Sequence, residues 1–231
     1  MEKAVLVTSF GTSHKDTREK CLDSIENKVK AKYGSERVER AYTSGVIRQI
    51  VKKKEGIHIF DQNEGLEALK NKGYDEIVTM SLHILGGIEY AKLSDFRKVV
   101  NDEEFNSTEG NDAIVFMGHG SESSADSTYQ RLQEEYLKAG KDNIFIATVE
   151  GQVTIEDVIQ KLKGRGFSKI LLKPFMIVAG DHAKNDMASD EEDSWKTILQ
   201  NEGYEVTPVL KGMGEYKFIH NMFMDKLQEV Y

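Results

Sequence analysis

The chain has 231 residues, 39% apolar and 30% charged, with 19 glycines, two prolines and one cysteine, enough for one large domain or two small ones with a core. Its net charge of −8 argues against a nucleic-acid surface, which needs a basic footprint to displace phosphate counterions. No run approaches the ~18 uninterrupted apolar residues of a membrane helix, and Met1-Glu2-Lys3 leads directly into AVLV without the parts of a signal peptide, so a cytoplasmic protein without membrane contact is expected.

Short apolar runs at 4–10 (AVLVTSF), 38–43, 76–85, 113–117, 143–149, 169–178 and 204–210 predict strands. Between them, 14–33 carries Cys21, Leu22, Ile25 and Val29 at helical spacing, and 153–163 carries Val153, Ile155, Val158, Ile159 and Leu162 in the same way. The lone Cys21 reads as a buried thiol on that first apolar face and can form no disulfide within the chain. Strands that are apolar almost throughout, alternating with helices, imply parallel sheet covered on both faces, hence the α/β class. The run SDEED (189–193) before Trp195 predicts an N-cap and acidic first turn for a helix. His14, His58 and His220 lie in helical or loop surroundings and are expected at the surface; His83 follows MSL and suits either a site or a core.

Strand ends written beneath one another reveal a repeat. VTSFGTS (7–13) lies over VFMGHGS (115–121), AYTSG (41–45) over ATVEG (147–151), and IVTMSLHILGGIE (77–89) over ILLKPFMIVAGDH (170–182), with offsets of 109, 106 and 93 residues. Phe10 then matches His119, Gly11 matches Gly120, Ser44 matches Glu150 and Glu89 matches His182. The polar stretch NDEEFNSTEGND (101–112) places the division there, giving halves 1–105 and 106–231, with the last helix packing on the first half.

Ligands of open parallel sheets bind beyond the carboxyl ends of the strands. His119, Glu150 and His182 fall there on three different strands, and two imidazoles with one carboxylate suit a divalent first-row metal with coordination positions left open. Singly, an imidazole after a strand is equally a cap or a core residue, and a Glu before Gly is equally a turn. Gly118 and Gly120 let the backbone turn sharply and let a flat ligand approach the main chain, or serve an ordinary strand-to-helix turn. GHGSES lacks the lysine of a phosphate loop and is not a nucleophile elbow; Ser121 has no base beside it in the sequence, and neither H-E-x-x-H nor C-x-x-C occurs.

SFGTSHKDT, SLHILGGIEY, MGHGS, the VEG turn and above all PFMIVAGDHAKNDMASDEEDSW resemble the anaerobic-type sirohydrochlorin cobaltochelatases, relatives of ferrochelatase among the class II chelatases. The resemblance covers nearly the whole chain. It implies two similar α/β domains facing across a tetrapyrrole cleft, and ATP-independent insertion of Co2+ into sirohydrochlorin for anaerobic cobalamin synthesis. It makes His119 metal ligand and proton acceptor, with Glu150 and His182 completing the metal site and His182 counted as catalytic. The implied partners are the tetrapyrrole and a divalent metal ion; no cofactor is expected beyond the Co2+ that is substrate, and a homo-oligomer is left open. Position alone nominates Phe10, Gly11, Thr12, His83, Glu89, Gly118 and Gly120 as ring contacts. Helix amino termini with Lys15 or Arg18 are nominated to offset repulsion between an acidic chain and a polyanionic ring. The stretch between Glu89 and Ile114 is shorter than the resemblance leads one to expect. Ferrous or nickel chelation is the near alternative, since the donor set does not select the metal. A non-catalytic tetrapyrrole carrier and, more distantly, a zinc hydrolase complete the alternatives.

Overall fold

Each apolar run holds a β-strand: β1 (Lys3–Ser9), β2 (Val38–Tyr42), β3 (Glu76–Ser81), β4 (Ala113–Gly118), β5 (Ile144–Thr148), β6 (Lys169–Pro174) and β7 (Glu205–Pro208). The helices are α1 (Lys15–Thr17), continued through a π-helical stretch (Arg18–Asp23) into α2 (Ser24–Tyr33), then α3 (Gly45–Glu55), α4 (Gln62–Asn71), α5 (Leu93–Asn101), α6 (Glu103–Asn106), α7 (Ser127–Lys138), α8 (Ile155–Leu162), α9 (Trp195–Asn201) and α10 (Lys217–Val230). A second π-helical turn covers Ala183–Met187. This computed structural model describes residues 3–83, 93–108, 112–121 and 126–231. Among them, no helix is long and apolar enough to cross a membrane.

The chain divides into one unit of Met1–Gly87 with Gly214–Tyr231 and another of Ile88–Met213. The first contains a parallel sheet of order β2-β1-β3, the second a parallel sheet of order β5-β4-β6-β7. The repeat extends to the register. Val5 pairs with Val38 as Ile114 pairs with Ile144, and Ala4 pairs with Ile77 as Ala113 pairs with Ile170, which are the sequence offsets carried into hydrogen bonding. The ladders continue past the strand ends in the same way: Leu82 N–H donates to Thr8 O at 2.8 Å, and Phe175 N–H to Met117 O at 2.7 Å. The α/β class with two helix-flanked parallel sheets therefore stands.

Burial on both faces explains why β4 reads as an unbroken apolar run. Val115 and Met117 pack into a cluster with Val158, Ile159, Leu162, Leu172, Trp195 and Leu199. On the other side Phe116 stacks on Phe105 at 4.7 Å and lies 6.2 Å from Tyr136, ring centre to ring centre. Aromatic pairs of this kind add about 0.5–1.5 kcal/mol beyond the area they bury. Local capping sets the helix starts. Asp61 and Glu64 form a reciprocal capping box at α4, and Thr154 and Asp157 form another at α8.

Two expectations need amending. The acidic run 189–193 does not cap α9: Ser194 does, accepting from Thr197 N–H, and the first turn holds no acid. A hydroxyl next to the apolar Trp195 reaches the orphan amide, whereas Asp190 instead pairs with Lys196. His220 is buried rather than exposed, because α10 packs within the first unit: its Nε2 meets Gly214 O at 2.6 Å and Ser24 Oγ at 3.5 Å. The same unit includes Cys21, whose thiol is fully buried and meets Glu215 Oε1 at 3.8 Å. The polar stretch 101–112 contains α6, whose Phe105 is the buried ring stacked on Phe116. Asn106 and Lys173 secure that helix: Asn106 Oδ1 accepts from the Tyr136 hydroxyl at 2.8 Å, and the Lys173 ammonium donates to Phe105 O at 2.6 Å.

Candidate metal centre

Parallel strands bring the carboxyl ends of β5, β4 and β6 to one edge of the second sheet. His119 follows β4 directly, Glu150 comes two residues after β5, and His182 opens the π-helical turn beyond β6. The β ladder runs on past the strands: Val149 N–H donates to Gly118 O at 3.0 Å and Glu150 N–H to His119 O at 2.8 Å. That continuation sets the carboxylate beside the imidazole. One ligand atom from each of His119, Glu150 and His182 lies within 4.8 Å of the others. His119 Nδ1 is 3.7 Å from Glu150 Oε2, and the imidazole rings meet edge to face with centroids 4.9 Å apart. Both histidines are half-buried and Glu150 is exposed, so the site opens to an incoming cation.

Second contacts orient both rings. His119 Nδ1 lies 3.2 Å from Gly120 O, and His182 Nδ1 lies 2.5 Å from Asp186 Oδ2. A carbonyl or carboxylate oxygen only accepts, so Nδ1 is the donor in each contact. Two imidazole nitrogens and a carboxylate oxygen suit a divalent cation with positions left for a reacting ligand.

The glycines of the GHG turn both answer to close packing. A Cβ on Gly118 would lie 2.5 Å from the Tyr129 ring; one on Gly120 would lie 2.4 Å from Gly151 N, and Gly120 also has φ +82°. Tyr129 receives the Gly120 N–H on its hydroxyl at 3.4 Å, and burial pushes its phenol up to about 12. It stays neutral beneath the site.

The first unit carries the matching positions with different chemistry. Phe10 is 57% exposed, and Ser44 caps α3 by accepting from Ile47 N–H. Gly11 keeps the positive φ of Gly120. Thr12 is buried and its hydroxyl accepts from His14 N–H at 3.2 Å. His83 is held by two hydroxyls, Nδ1 on Ser81 Oγ and Nε2 on Thr43 Oγ1, each at 3.0 Å, and burial lowers its pKa. Glu89, and with it part of the short stretch before Ile114, lies outside the described residues. Arg18 is not free to meet a polyanion: it is buried and donates through both terminal nitrogens to Glu55. Lys15 remains exposed, 3.9 Å from Glu19.

Sequence reading missed Asp186 and Asp126. Asp186 stands four residues after His182 in DHAKND, a helical spacing that could have exposed it. Asp126 gave no local signal.

A sequence model of the family described as cobalt chelatase (CbiK) matches residues 3–106 and 93–231. The chain is 33% identical over 255 residues to a sirohydrochlorin cobaltochelatase of Salmonella typhimurium, covering 99% of this chain and 96% of that protein. It is 26% identical over 259 residues to sirohydrochlorin cobaltochelatase CbiKC of Nitratidesulfovibrio vulgaris, covering 98% and 89%. Among solved structures, SirB from Bacillus subtilis with Fe3+ superposes with a TM-score of 0.62 at 13% identity, over 99% of this chain and 95% of that one, a likeness of fold. With the repeated parallel sheets and full-length similarity together, the chain belongs to the cobalt chelatase (CbiK) family.

Proposed function

We propose that the protein inserts Co2+ into sirohydrochlorin without ATP, as a cytoplasmic enzyme. The observation that carries this reading is the convergence of His119, Glu150 and His182 within 4.8 Å at the edge of one parallel sheet, in a chain similar along its length to two sirohydrochlorin cobaltochelatases. Co2+ enters as substrate and no resident cofactor is invoked. Metallation requires two pyrrole N–H protons to leave as the metal enters. Imidazole exchanges protons near neutral pH, so His119 accepts the pyrrole protons in turn and passes each to solvent water, while His182 and Glu150 steady the cation. The metal and the proton compete for His119, which couples metal delivery to deprotonation. Phe10, Gly11, Thr12, His83, Glu89, Gly118 and Gly120 are proposed as ring contacts.

A spectrophotometric assay of sirohydrochlorin metallation tests this. His119→Ala and His182→Ala should each abolish the reaction while retaining the fold; wild-type rates in both would sink the reading. Two imidazoles with one carboxylate also suit Ni2+ or Fe2+, so a ferrous or nickel chelatase is the second reading. Competition among Co2+, Ni2+ and Fe2+ on the metal-free protein separates the two.

A further inference from the structure

We propose that Asp126 is a positioning residue of the metal centre, a buried carboxylate that fixes the spacing between the two turns bearing His119 and Glu150. This inference rests on the reading of His119, Glu150 and His182 as metal ligands.

Asp126 occupies the N-cap position of α7 but makes no side-chain bond to that helix, although capping is the ordinary use of an aspartate there. It is 1% exposed. Its Oδ1 accepts from Ser121 N–H at 3.3 Å and its Oδ2 from Gln152 N–H at 2.8 Å. Ser121 is two residues past His119, and Gln152 is two past Glu150. One carboxylate therefore joins the two turns at matching points. Backbone donors of this kind offset the desolvation of a buried carboxylate.

The packing leaves no room for a side chain at either glycine beside this carboxylate. A Cβ on Gly151 would lie 2.2 Å from Asp126 Oδ1, and one on Gly120 would lie 2.4 Å from Gly151 N. The Thr148 side chain packs against both glycines, 2.8 Å from where a Gly120 Cβ would stand and 2.4 Å from a Gly151 Cβ. The Glu150 N–H to His119 O bond fixes one edge of the pair, and Asp126 fixes the other.

Comparison of the halves assigns this arrangement to the site rather than to the fold. At the offset that matches Phe10 with His119, the counterpart of Asp126 is Thr17, and Gly11 and Gly45 match Gly120 and Gly151. The first unit keeps the positive-φ glycine but fills the space beside it with the Tyr42 ring, 2.3 Å from where a Gly11 Cβ would stand. The turn can thus be built without a bridging carboxylate. The carboxylate stands only in the half that has the imidazole and the glutamate.

Asp126→Asn tests the inference, because an amide nitrogen cannot accept and one of the two turns is released. The readouts are Co2+ affinity of the purified chain by calorimetry, the visible absorption of bound Co2+, and the split of kcat from KM in metallation, beside circular dichroism and thermal melting. The expected result is a folded protein with a Co2+ Kd raised about 10-fold or more, an altered Co2+ spectrum, and a lowered kcat with KM for the tetrapyrrole unchanged. Asp126→Ser, whose hydroxyl reaches one donor at most, should behave likewise. Folded variants with the wild-type Kd and spectrum would overturn the inference. Failure of both variants to fold would overturn it as well, placing Asp126 in the fold instead. If His119→Ala binds Co2+ as tightly as wild type, the reading of the metal centre itself fails, an outcome distinct from wild-type affinity in the Asp126 variants alone.

Discussion

Asp186 Oδ2 sits 2.5 Å from Nδ1 of His182, four residues back in the chain, and so orients a ring that clusters with His119 and Glu150. An outer carboxylate that orients a ligating imidazole is commonly worth 10–100-fold in metal affinity. Asp186→Ala should therefore weaken Co2+ binding by about 10-fold or more in calorimetry. Its half-exposed side chain carries no core packing, so the melting temperature should hardly move.

Gly120→Ala should destabilise the protein. A Cβ there must tolerate φ +82° and a backbone nitrogen at 2.4 Å that no side-chain rotation can relieve. Left-handed backbone alone costs about 1–3 kcal/mol. Urea denaturation should show a loss of at least that order, with metallation falling as His119 is displaced. Gly118→Ala meets a ring instead, Tyr129 at 2.5 Å, and can relax by shifting it, so its loss should be smaller.

Lys173 gives the fold a dependence on alkaline pH. Burial, reinforced by Lys211, pushes its ammonium down from 10.5 to about 8, with Glu104 and Asp102 opposing. Between those values the unfolded chain binds a proton that the native chain does not, so this group makes stability rise with pH through the window. Lys173→Met removes the contribution. Urea midpoints measured from about pH 7.5 to pH 10 should climb less, or fall more, in the variant than in wild type.

His83 acts at the acid side. Burial lowers its pKa below 6.5, so on acidification the unfolded chain takes up a proton before the native one does and stability is lost as pH falls through and below 6.5. His220, lowered by its own burial, adds a loss of the same sign. His83→Gln keeps a partner for Ser81 and Thr43 without titrating. Its melting temperature should drop less than that of wild type between about pH 7 and pH 5.

Much of the fold was legible in local pattern. Each apolar run became a strand because a strand buried on both faces needs apolar residues at nearly every position, as Val115 and Phe116 illustrate on opposite faces of β4. The 109, 106 and 93 offsets became strand registers because side-chain alternation ties pairing to sequence position. Even the inequality of the halves, His119 against Phe10 and Glu150 against Ser44, needed only the aligned strand ends.

Tertiary structure decided what those residues do together. His119, Glu150 and His182 are more than thirty residues apart from one to the next in the chain, and parallel pairing through crossover helices is what brings their ligand atoms within 4.8 Å. The bond from Gln152 N–H to Asp126, the Arg18–Glu55 pair and the burial of His220 left no trace in periodicity. Periodicity reports which face of an element is apolar. A hydrogen bond to a distant backbone amide depends on where two turns meet in space, and an isolated polar letter in the sequence carries no record of that meeting.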